Sequence, residues 1–324
     1  MLIVKVSVII PVYQVERYVE RCVRSLMEQT LQDVEYIFVD DCSPDESMDI
    51  VKRVVAAYPS RNREVLILRH EVNKGLPAAR NTGLQSATGE YVFHCDSDDY
   101  LDTDALKRMV ALADSSGADI VYTDWYLTYP KKERYMHQPH YDTADEALHS
   151  ILCGSMKFNV WNKLVRRSLF IDNGITFPEG YSMGEDMTMI LLFAQARQVR
   201  HLAYGTYHYF RQNENAFTVK KLSDQSYSAI YHNASRVIEC LKSKVSQLDI
   251  DCFKLNVKFP FLISGDTEDY ERWNAWFPEA NRAIKDSKVS WRMRKLQRLA
   301  AKKCYWALKI YYYCVHKVIY GIIY

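Results

Sequence analysis

Several features that mark other classes of protein are absent from this 324-residue sequence. It has no unbroken apolar run near the roughly 20 residues that a membrane-spanning helix requires, so no such helix is expected. Its first residues, MLIVKVSVIIPVY, carry neither a separate basic segment nor a small-residue cleavage site, so no signal peptide is expected. The chain is long enough for one large domain plus an appendage, or for two modest domains.

A compact cysteine motif is also missing. The eight cysteines are scattered along the chain and include no C-x-x-C pair. In a sequence without export features, this distribution predicts reduced thiols in a cytosolic protein, most of them filling the core. A structural zinc site is accordingly not expected.

Acidic residues are absent from the C-terminal tail, residues 287–324. The tail contains nine Lys and Arg, so residues 1–286 carry a net charge of −7 within a total of +2. Cationic residues attract anionic lipid by about 1 kcal/mol each, and Trp and Tyr favour the headgroup boundary. An amphipathic helix on an anionic membrane surface is therefore favoured. Packing on the rest of the chain or a homodimer seam comes second, and nucleic-acid binding, for which no motif is present, is weakest.

Strand and helix patterns alternate along the first 125 residues. This alternation predicts a doubly wound, mostly parallel α/β sheet with helices on both faces. Ser43 is the expected N-cap of the second helix, with Pro44 at its first position. The predicted strands lie at 5–10, 34–41, 64–69, 90–95 and 118–125, and the predicted helices at 15–29, 43–58, 76–87 and 103–114. A helical pattern returns at 220–260.

Acidic residues follow two of the predicted strands. Asp40–Asp41 and Asp96–Asp99 fall at carboxyl ends, where open α/β sheets bind ligands. In GEYVFHCDSDDYLD (89–102), the D-x-D spacing suits one hard divalent cation, Mg²⁺ or Mn²⁺. The alternative is a solvated acidic turn that caps the next helix, a role open to Asp102 and Asp104 as well.

Glycine is absent from PVYQVERY, the segment after the first predicted strand. A nicotinamide-dependent enzyme would carry G-x-G-x-x-G there, and a sugar nucleotidyltransferase would usually carry a Gly-rich basic loop. Both classes are disfavoured, although the nucleotidyltransferase stays open as an alternative.

Four motifs stand in order along the chain: SVIIPVYQVERYVERCVRSLMEQT (7–30), VDDCSPDES (39–47), NKGLPAARNTGL (73–84) and CDSDDYLD (95–102). Together they resemble the nucleotide-binding half of family 2 glycosyltransferases, inverting enzymes of the GT-A fold that use nucleotide-sugars. The resemblance is strong over residues 4–125 and looser to about residue 218. It implies a nucleotide-sugar-binding half at 1–125, an acceptor-binding and catalytic-base half of the same domain at 126–218, and a helical C-terminal region at 219–324.

The resemblance assigns roles on the donor side. Pro11, Val12 and Tyr13 would hold the nucleobase, and Asp40 would accept a hydrogen bond from uracil N3–H, while Asp41 would order the loop. The other residues implied to contact the nucleotide-sugar or its metal are Lys74, Arg80, Asp96, Ser97, Asp98 and Asp99. Two departures from the family pattern are Gln14 in place of Asn and Cys42 in place of Gly, and the cysteine disfavours a positive φ.

The resemblance also assigns the acceptor side. In YSMGEDMTMILLF (181–193), Asp186 would be the general base and Glu185 its support, although acids at a helix N-terminus also serve as caps. A base at a helix N-terminus would have a lowered pKa. Further candidates for acceptor, diphosphate or metal contact are Trp161, Asn162, Lys163, His208 and Arg211. Core packing is the alternative for Trp161 and His208.

These expectations converge on one activity. The protein is expected to transfer a sugar from a nucleotide-sugar, favoured as a UDP-sugar, to a lipid-linked or oligosaccharide acceptor in surface polysaccharide synthesis, with Mn²⁺ or Mg²⁺ as cofactor. It is expected in the cytoplasm, peripherally attached to the inner face of the cell membrane, with no nucleic-acid partner. A non-catalytic nucleotide-binding or scaffold protein of the same fold is the alternative.

Overall fold

The structure, a computed structural model, describes residues 4–211, 222–286 and 289–315. The chain divides into two compact units. The first comprises Met1–Ala147 and Phe158–Val237, and the second comprises Leu148–Lys157 and Ile238–Tyr324. No helix among the described residues is both long enough and apolar enough to cross a membrane.

The first unit contains one sheet, to which nine strands of the described chain contribute. The strands are β1 Val6–Val12, β2 Val34–Asp40, β3 Val65–Arg69, β4 Tyr91–His94, β5 Tyr100–Leu101, β6 Ile120–Tyr129, β7 Lys132–Met136, β8 Lys163–Arg166 and β9 Val199–Phe210. Their order is β3-β2-β1-β4-β8-β6-β9-β5, with β7 paired to β6. The first four strands in this order are parallel, as are β6 and β9, whereas β8, β5 and β7 pair antiparallel.

Helices follow most of these strands. They are α1 Val19–Met27, α2 Ser47–Ala56, α3 Leu76–Ser86, α4 Ala105–Ser116, α5 Ala144–Leu152, α6 Arg167–Asp172, α7 Thr188–Phe193, α8 Asp224–Leu241, α9 Gln247–Lys258, α10 Thr267–Ala275, α11 Trp291–Ala301 and α12 Tyr305–Tyr312. Helix α1 shows why they form, because Val19, Cys22, Val23 and Leu26 recur at helical spacing and are all buried. The core includes these side chains together with those of β1, β2 and β4.

The register of the sheet brings the two acidic segments to one edge. Val12, Asp40 and Arg69 lie side by side at the ends of β1, β2 and β3. Strand β4 pairs with the other side of β1 and ends at His94, so Asp96 follows at the same edge. The carboxyl ends of parallel strands therefore place Asp40 and Asp96 on either side of β1, as the sequence predicts.

The start of α2 differs from the prediction. The helix begins at Ser47 rather than after Ser43, and Ser43 is not its N-cap. The Ser43 hydroxyl instead donates to Asp45 and accepts the backbone N–H of Gln14, so it ties the loop after β2 to the loop after β1. Cys42 and Gln14, the two departures from the family pattern, themselves adopt positive φ angles of 58° and 54°.

In the second unit, the described part of the C-terminal tail forms α11 and α12. Leu296, Ala300 and Leu308 are buried, and Asn274 of α10 donates to the Ala300 carbonyl and the Tyr305 hydroxyl. Four large apolar side chains of this segment are exposed, namely Trp291, Trp306, Ile310 and Tyr313. One face of the tail therefore packs within its own unit. Residues 287, 288 and 316–324 of the tail lie outside the described residues.

Candidate active site

Arg80 lies at the centre of the candidate site, on α3. Pro77 stands in the first turn of this helix, and Gly83 lets it lie close to β1, since a Cβ at Gly83 would be 2.4 Å from Ile9 Cγ2. Arg80 is 1% exposed, and its Nη2 donates to Asp96 Oδ1 at 2.8 Å. Its Nε and Nη1 find no hydrogen-bond partner among the described residues. A buried cation with two unpartnered nitrogens among the described residues therefore lies beside Asp96.

The Glu185–Asp186 pair lies on a 3₁₀ turn, Glu185–Met187, directly before α7. Gly184 precedes it with a φ of 83°, and Asn233 steadies the loop by donating to the Met183 carbonyl at 2.9 Å. Burial is the main cause that raises the pKa of both carboxyls, and the Asp186 charge adds to the rise at Glu185. The positive charge of Arg80 opposes the rise at both.

The raised pKa of Asp186 corrects one expectation. A helix N-terminus was expected to lower it, but α7 has only six residues, and removal of the carboxyl from water has the larger effect. The aspartate is thus a stronger base than a solvated one. That property suits a group that must take a proton from an alcohol.

Lys163 is a second basic group that interacts electrostatically with Asp186. Its side chain is buried, and its Nζ donates to the Asn159 carbonyl at 2.7 Å and to Asn162 Oδ1 at 2.8 Å. Burial lowers the pKa of Lys163 to about 7, while Asp186 acts in the opposite direction. Asn162 is itself fully buried and donates to the Thr123 carbonyl. Both residues are packed inside the protein, so the structure argues against their predicted direct contact with an acceptor.

Trp161 belongs to the core, which was the alternative to a sugar platform. Its ring stacks on Tyr207 and Tyr209, with centroids 4.5 Å and 5.3 Å away, and meets Trp125 edge-on. Only 8% of its surface is exposed. With aromatic neighbours on these sides, the ring fills the space between strands.

The acid cluster divides into two parts. Asp96 and Asp98 are partly exposed, whereas Ser97 and Asp99 are buried. Asp99 accepts the Tyr207 hydroxyl at one oxygen and the Phe210 backbone N–H at the other, both at 2.7 Å. Because both of its oxygens face inward and are bonded, this geometry argues against the predicted role of Asp99 as a metal ligand. Burial and the neighbouring carboxylates raise its pKa.

The geometry of His208 also argues against metal coordination. Its Nδ1 lies 2.8 Å from Glu133 and its Nε2 3.0 Å from Asp102, so both ring nitrogens already have carboxylate partners. The ring stacks between Tyr100 and Tyr126. The two carboxylates outweigh burial and raise the pKa of His208, and a protonated imidazole has no lone pair for a metal. The structure therefore argues against the predicted coordination by His208.

On the donor side, Asp40 and Asp41 have different partners. Asp40 accepts the Ser43 backbone N–H, and its second oxygen lies 3.4 Å from Arg69 Nε. Asp41 is buried and accepts the backbone N–H groups of Lys74 and Gly75, each at 2.8 Å. Asp41 thus orders the loop before α3.

The remaining predicted residues lie at the edge of the sheet or near it. Pro11 and Val12 are buried within β1, so only their backbone is available to a nucleobase, and the Val12 carbonyl already accepts the Asp41 N–H. Tyr13 is 41% exposed beside them. Lys74 is exposed, as is Arg211, which continues the pairing of β9 with β6 through its backbone.

Comparison with known proteins identifies the family. The model of Glycosyl transferase family 2 matches residues 7–179, more than half of the chain. The protein belongs to this family. The resemblance seen in the four motifs is thereby confirmed.

The protein is similar to a curated relative and to two proteins of known structure. The uncharacterized glycosyltransferase EpsJ of Bacillus subtilis is 33% identical over 222 residues, which span 66% of this chain but only 62% of the relative. The crystal structure of S. aureus TarS 1–349 in complex with UDP-GlcNAc is 24% identical, covers 97% of this chain and 92% of that one, and has a TM-score of 0.73. The mannosyltransferase PcManGT from Pyrobaculum calidifontis, in complex with GDP-Man and Mn²⁺, is 15% identical, covers 94% and 83%, and has a TM-score of 0.53.

These likenesses confirm the predicted GT-A-type α/β fold with C-terminal helices. Within this family 2 fold, sequence reasoning missed Tyr207 and His70. Tyr207 accepts the Asp96 N–H and donates to Asp99, and His70 joins Asp41 to Thr82. The spacing of Tyr207 and Tyr209, two residues apart on one side of β9, was the one available signal for the tyrosine, and both rings stack on Trp161.

Proposed function

We propose that this protein is an inverting, metal-dependent glycosyltransferase that moves a sugar from a UDP-sugar to a glycan acceptor. One observation carries the proposal. Arg80, hydrogen-bonded to Asp96, also acts electrostatically on Glu185 and Asp186, so the D-x-D segment and the E-D segment share one buried cation. Ninety residues of sequence separate Asp96 from Asp186, yet Arg80 acts on both, and the charge of Asp96 also acts on Glu185.

Two residues at the edge of the sheet support a UDP-sugar as the donor. Asp40 lies at the end of β2, and the exposed ring of Tyr13 follows β1 beside it. A carboxylate there suits the N3–H donor of uracil, and an aromatic ring suits a base face. TarS, which shares the fold, holds UDP-GlcNAc in its crystal structure, and this supports a UDP-sugar donor.

The residues present fit a hard divalent cation at Asp96 and Asp98. Both are partly exposed carboxylates, the oxygen donors that Mg²⁺ and Mn²⁺ prefer, and Arg80 limits the negative charge around them. When bound, such an ion would neutralise the diphosphate of the leaving group. PcManGT carries Mn²⁺ with its nucleotide-sugar, which is in keeping with this assignment.

The chain's own groups account for the displacement. Asp186 takes the proton of the acceptor hydroxyl as that oxygen attacks the anomeric carbon on the face opposite the diphosphate. The bond from the anomeric carbon to the diphosphate oxygen breaks, and its electron pair leaves on UDP. The charges of Arg80 and Lys163 favour the deprotonated form of Asp186, and its negative charge raises the pKa of the neighbouring Glu185. One displacement gives inversion at the anomeric carbon.

A thermal-shift measurement tests the donor and metal sites. At about 100 times its dissociation constant, UDP with Mn²⁺ should add about 2.7 kcal/mol to the free energy of unfolding. We expect this stabilisation to need Mn²⁺ and to disappear in Asp98→Ala. The matched control is Asp49→Ala, an exposed acid in α2, which should keep the full shift.

The outcomes are distinct. An equal shift without Mn²⁺, or in Asp98→Ala, would reject the metal role of the acid cluster. No shift with UDP under any metal would reject the transferase proposal itself, and the scaffold alternative would then take its place.

We further propose that the acceptor is a lipid-linked glycan of surface polysaccharide synthesis and that the tail attaches the protein to the inner face of the membrane. The exposed Trp291, Trp306, Ile310 and Tyr313, set among basic residues, support this attachment. Flotation with liposomes tests it. We expect binding to anionic vesicles that weakens at high salt and in Trp291→Ser/Trp306→Ser, but not in the control Tyr231→Ser of α8. Equal flotation of all three proteins would reject the tail as the attachment site.

A further inference from the structure

The second unit, which contains none of the site residues described above, carries a separate group of side chains of the types that ligate metals. His149 lies in the last turn of α5, and Cys153 follows one turn later. Asp249 and Cys252 lie one turn apart in α9. The two helices thus present H-x-x-x-C and D-x-x-C pairs to each other, a spacing that a search for C-x-x-C alone overlooks.

The distances within this group are short. His149 Nδ1 lies 2.5 Å from Asp249 Oδ1, and His149 Nε2 lies 3.7 Å from Cys153 Sγ. Ligand atoms of these three residues all fall within 4.8 Å of one another. The Cys153 thiol also forms a hydrogen bond with Cys252. His149 Nε2 therefore faces the Cys153 sulfur, with the Asp249 carboxylate behind the imidazole and the Cys252 sulfur next to that of Cys153.

Asp249 fixes the direction of the imidazole. Its Oδ2 accepts the Ser246 hydroxyl at 2.7 Å in the capping box of α9, so its Oδ1 is left to accept the Nδ1–H of His149. That tautomer places the lone pair on Nε2, the nitrogen that faces Cys153. Histidines that bind zinc usually donate their other ring N–H to a carboxylate in this way.

The two helices are held close together at this point. Gly154, with a φ of 78°, abuts α9 so tightly that a Cβ there would lie 2.5 Å from Asn256 Oδ1. Asn256 in turn donates to the Ile151 carbonyl at the end of α5. The spacing of Cys153 from α9 is therefore set by the backbone rather than by the sulfurs alone.

We propose that His149 Nε2, Cys153 Sγ and Cys252 Sγ bind one zinc ion, with Asp249 orienting His149. A tetrahedral zinc with Zn–N of about 2.0–2.1 Å and Zn–S of about 2.3 Å separates N and S by about 3.6 Å. The distance between His149 Nε2 and Cys153 Sγ is 3.7 Å. Both sulfurs are buried, whereas His149 is 31% and Asp249 17% exposed in their side chains, so the ion and a fourth oxygen ligand have access from that side.

Zinc is favoured over the metals of the candidate active site by ligand chemistry. Thiolate and imidazole donors suit zinc, whereas Mg²⁺ and Mn²⁺ prefer oxygen. Each thiol loses its proton to solvent as the ion binds. This inference stands apart from the proposed catalysis, since it uses no residue of that site.

Metal analysis of the full-length protein tests the proposal. The chain is purified in a non-thiol reductant, exposed to zinc, desalted and analysed by mass spectrometry for bound metal. We expect about one zinc per chain, lost in Cys153→Ser, Cys252→Ser and His149→Gln. Cys240→Ser removes an exposed thiol of α8 and is the matched control, and Asp98→Ala leaves the second unit intact. Both should keep the zinc.

Cobalt makes the test independent of how well the variants fold. Titration of the metal-free wild-type protein with Co²⁺ should give the intense sulfur-to-cobalt absorption of thiolate ligands. Absence of this band in folded protein, or full zinc retention by Cys153→Ser and Cys252→Ser together, would overturn the proposal. Loss of zinc in Asp98→Ala alone would do so as well, because it would place the ion at the acid cluster. A disulfide between Cys153 and Cys252 that persists in reductant would also overturn it.

Discussion

Asp186→Asn should lower the rate of sugar transfer by about 10²–10⁴-fold while it leaves UDP binding unchanged. The carboxamide has the shape of the carboxylate but cannot take a proton from the acceptor hydroxyl. The turnover rate at saturating UDP-sugar and the dissociation constant of UDP, measured by calorimetry, separate these two effects. A loss confined to turnover is the result expected of a general base.

Two further variants give this experiment its controls. Glu185→Gln should cost less than Asp186→Asn, because Glu185 acts on the base rather than on the acceptor. Asp172→Asn changes an exposed acid at the end of α6 and should have no effect on turnover. Unchanged turnover in Asp186→Asn would remove it as the base. A wild-type protein that binds UDP without any turnover would instead favour the scaffold alternative.

The pH dependence of turnover provides a second measure of the same group. Burial raises the pKa of Asp186 and of Glu185, and only the deprotonated carboxylate can act as base. Activity should therefore be present above the raised pKa and be lost as pH falls through it, well above the range near 3.9 where a solvated aspartate titrates. The sign for stability is opposite. A carboxyl with a raised folded-state pKa stabilises the fold at low pH, and this contribution is lost as pH rises through that pKa.

The position of the site could be predicted from the sequence, because each acidic segment directly follows a strand or precedes a helix that local patterns predict. Asp40 and Asp96 each follow a buried, β-rich run, and parallel strands bring such ends to one edge. Glu185 and Asp186 precede an apolar helix, which places them at its start. These placements need only strand and helix periods and the order of elements along the chain.

The burial of individual acids could not be predicted in the same way. Asp98 and Asp99 are neighbours, yet Asp98 is partly exposed and Asp99 is fully buried. Asp99 is held inside by hydrogen bonds from Tyr207 and Phe210, which lie in the distant strand β9. His208 is paired by Asp102 and Glu133, which lie more than seventy residues away in the sequence. These hydrogen-bond partners are brought together by the pairing of strands that are far apart in the sequence. A local sequence pattern cannot predict them.

Arg80→Met should destabilise the protein by about 3 kcal/mol and abolish the metal-dependent stabilisation by UDP. Removal of one partner from a buried ion pair leaves the other charge uncompensated, at a cost of about 3–5 kcal/mol. Asp96 keeps some solvent, with 26% of its side chain exposed, so the low end of that range applies. Without Arg80 the pKa values of Glu185 and Asp186 should rise further, because the opposing positive charge is gone.

An exposed pair provides the control for Arg80. Arg53→Met breaks the contact of Arg53 with Glu20, whose side chains are 67% and 46% exposed, and should leave the free energy of unfolding nearly unchanged. Denaturant unfolding of Arg80→Met, Asp96→Asn and the double variant measures the coupling between the two residues. If Arg80 neutralises the acid cluster, the double variant should be less destabilised than the sum of the two single variants, since Asp96→Asn removes the charge that Arg80→Met leaves unpaired. If the destabilisation of the double variant instead equals the sum of the two single values, Arg80 and Asp96 do not stabilise each other. That result would reject Arg80 as the cation shared by the two acidic segments.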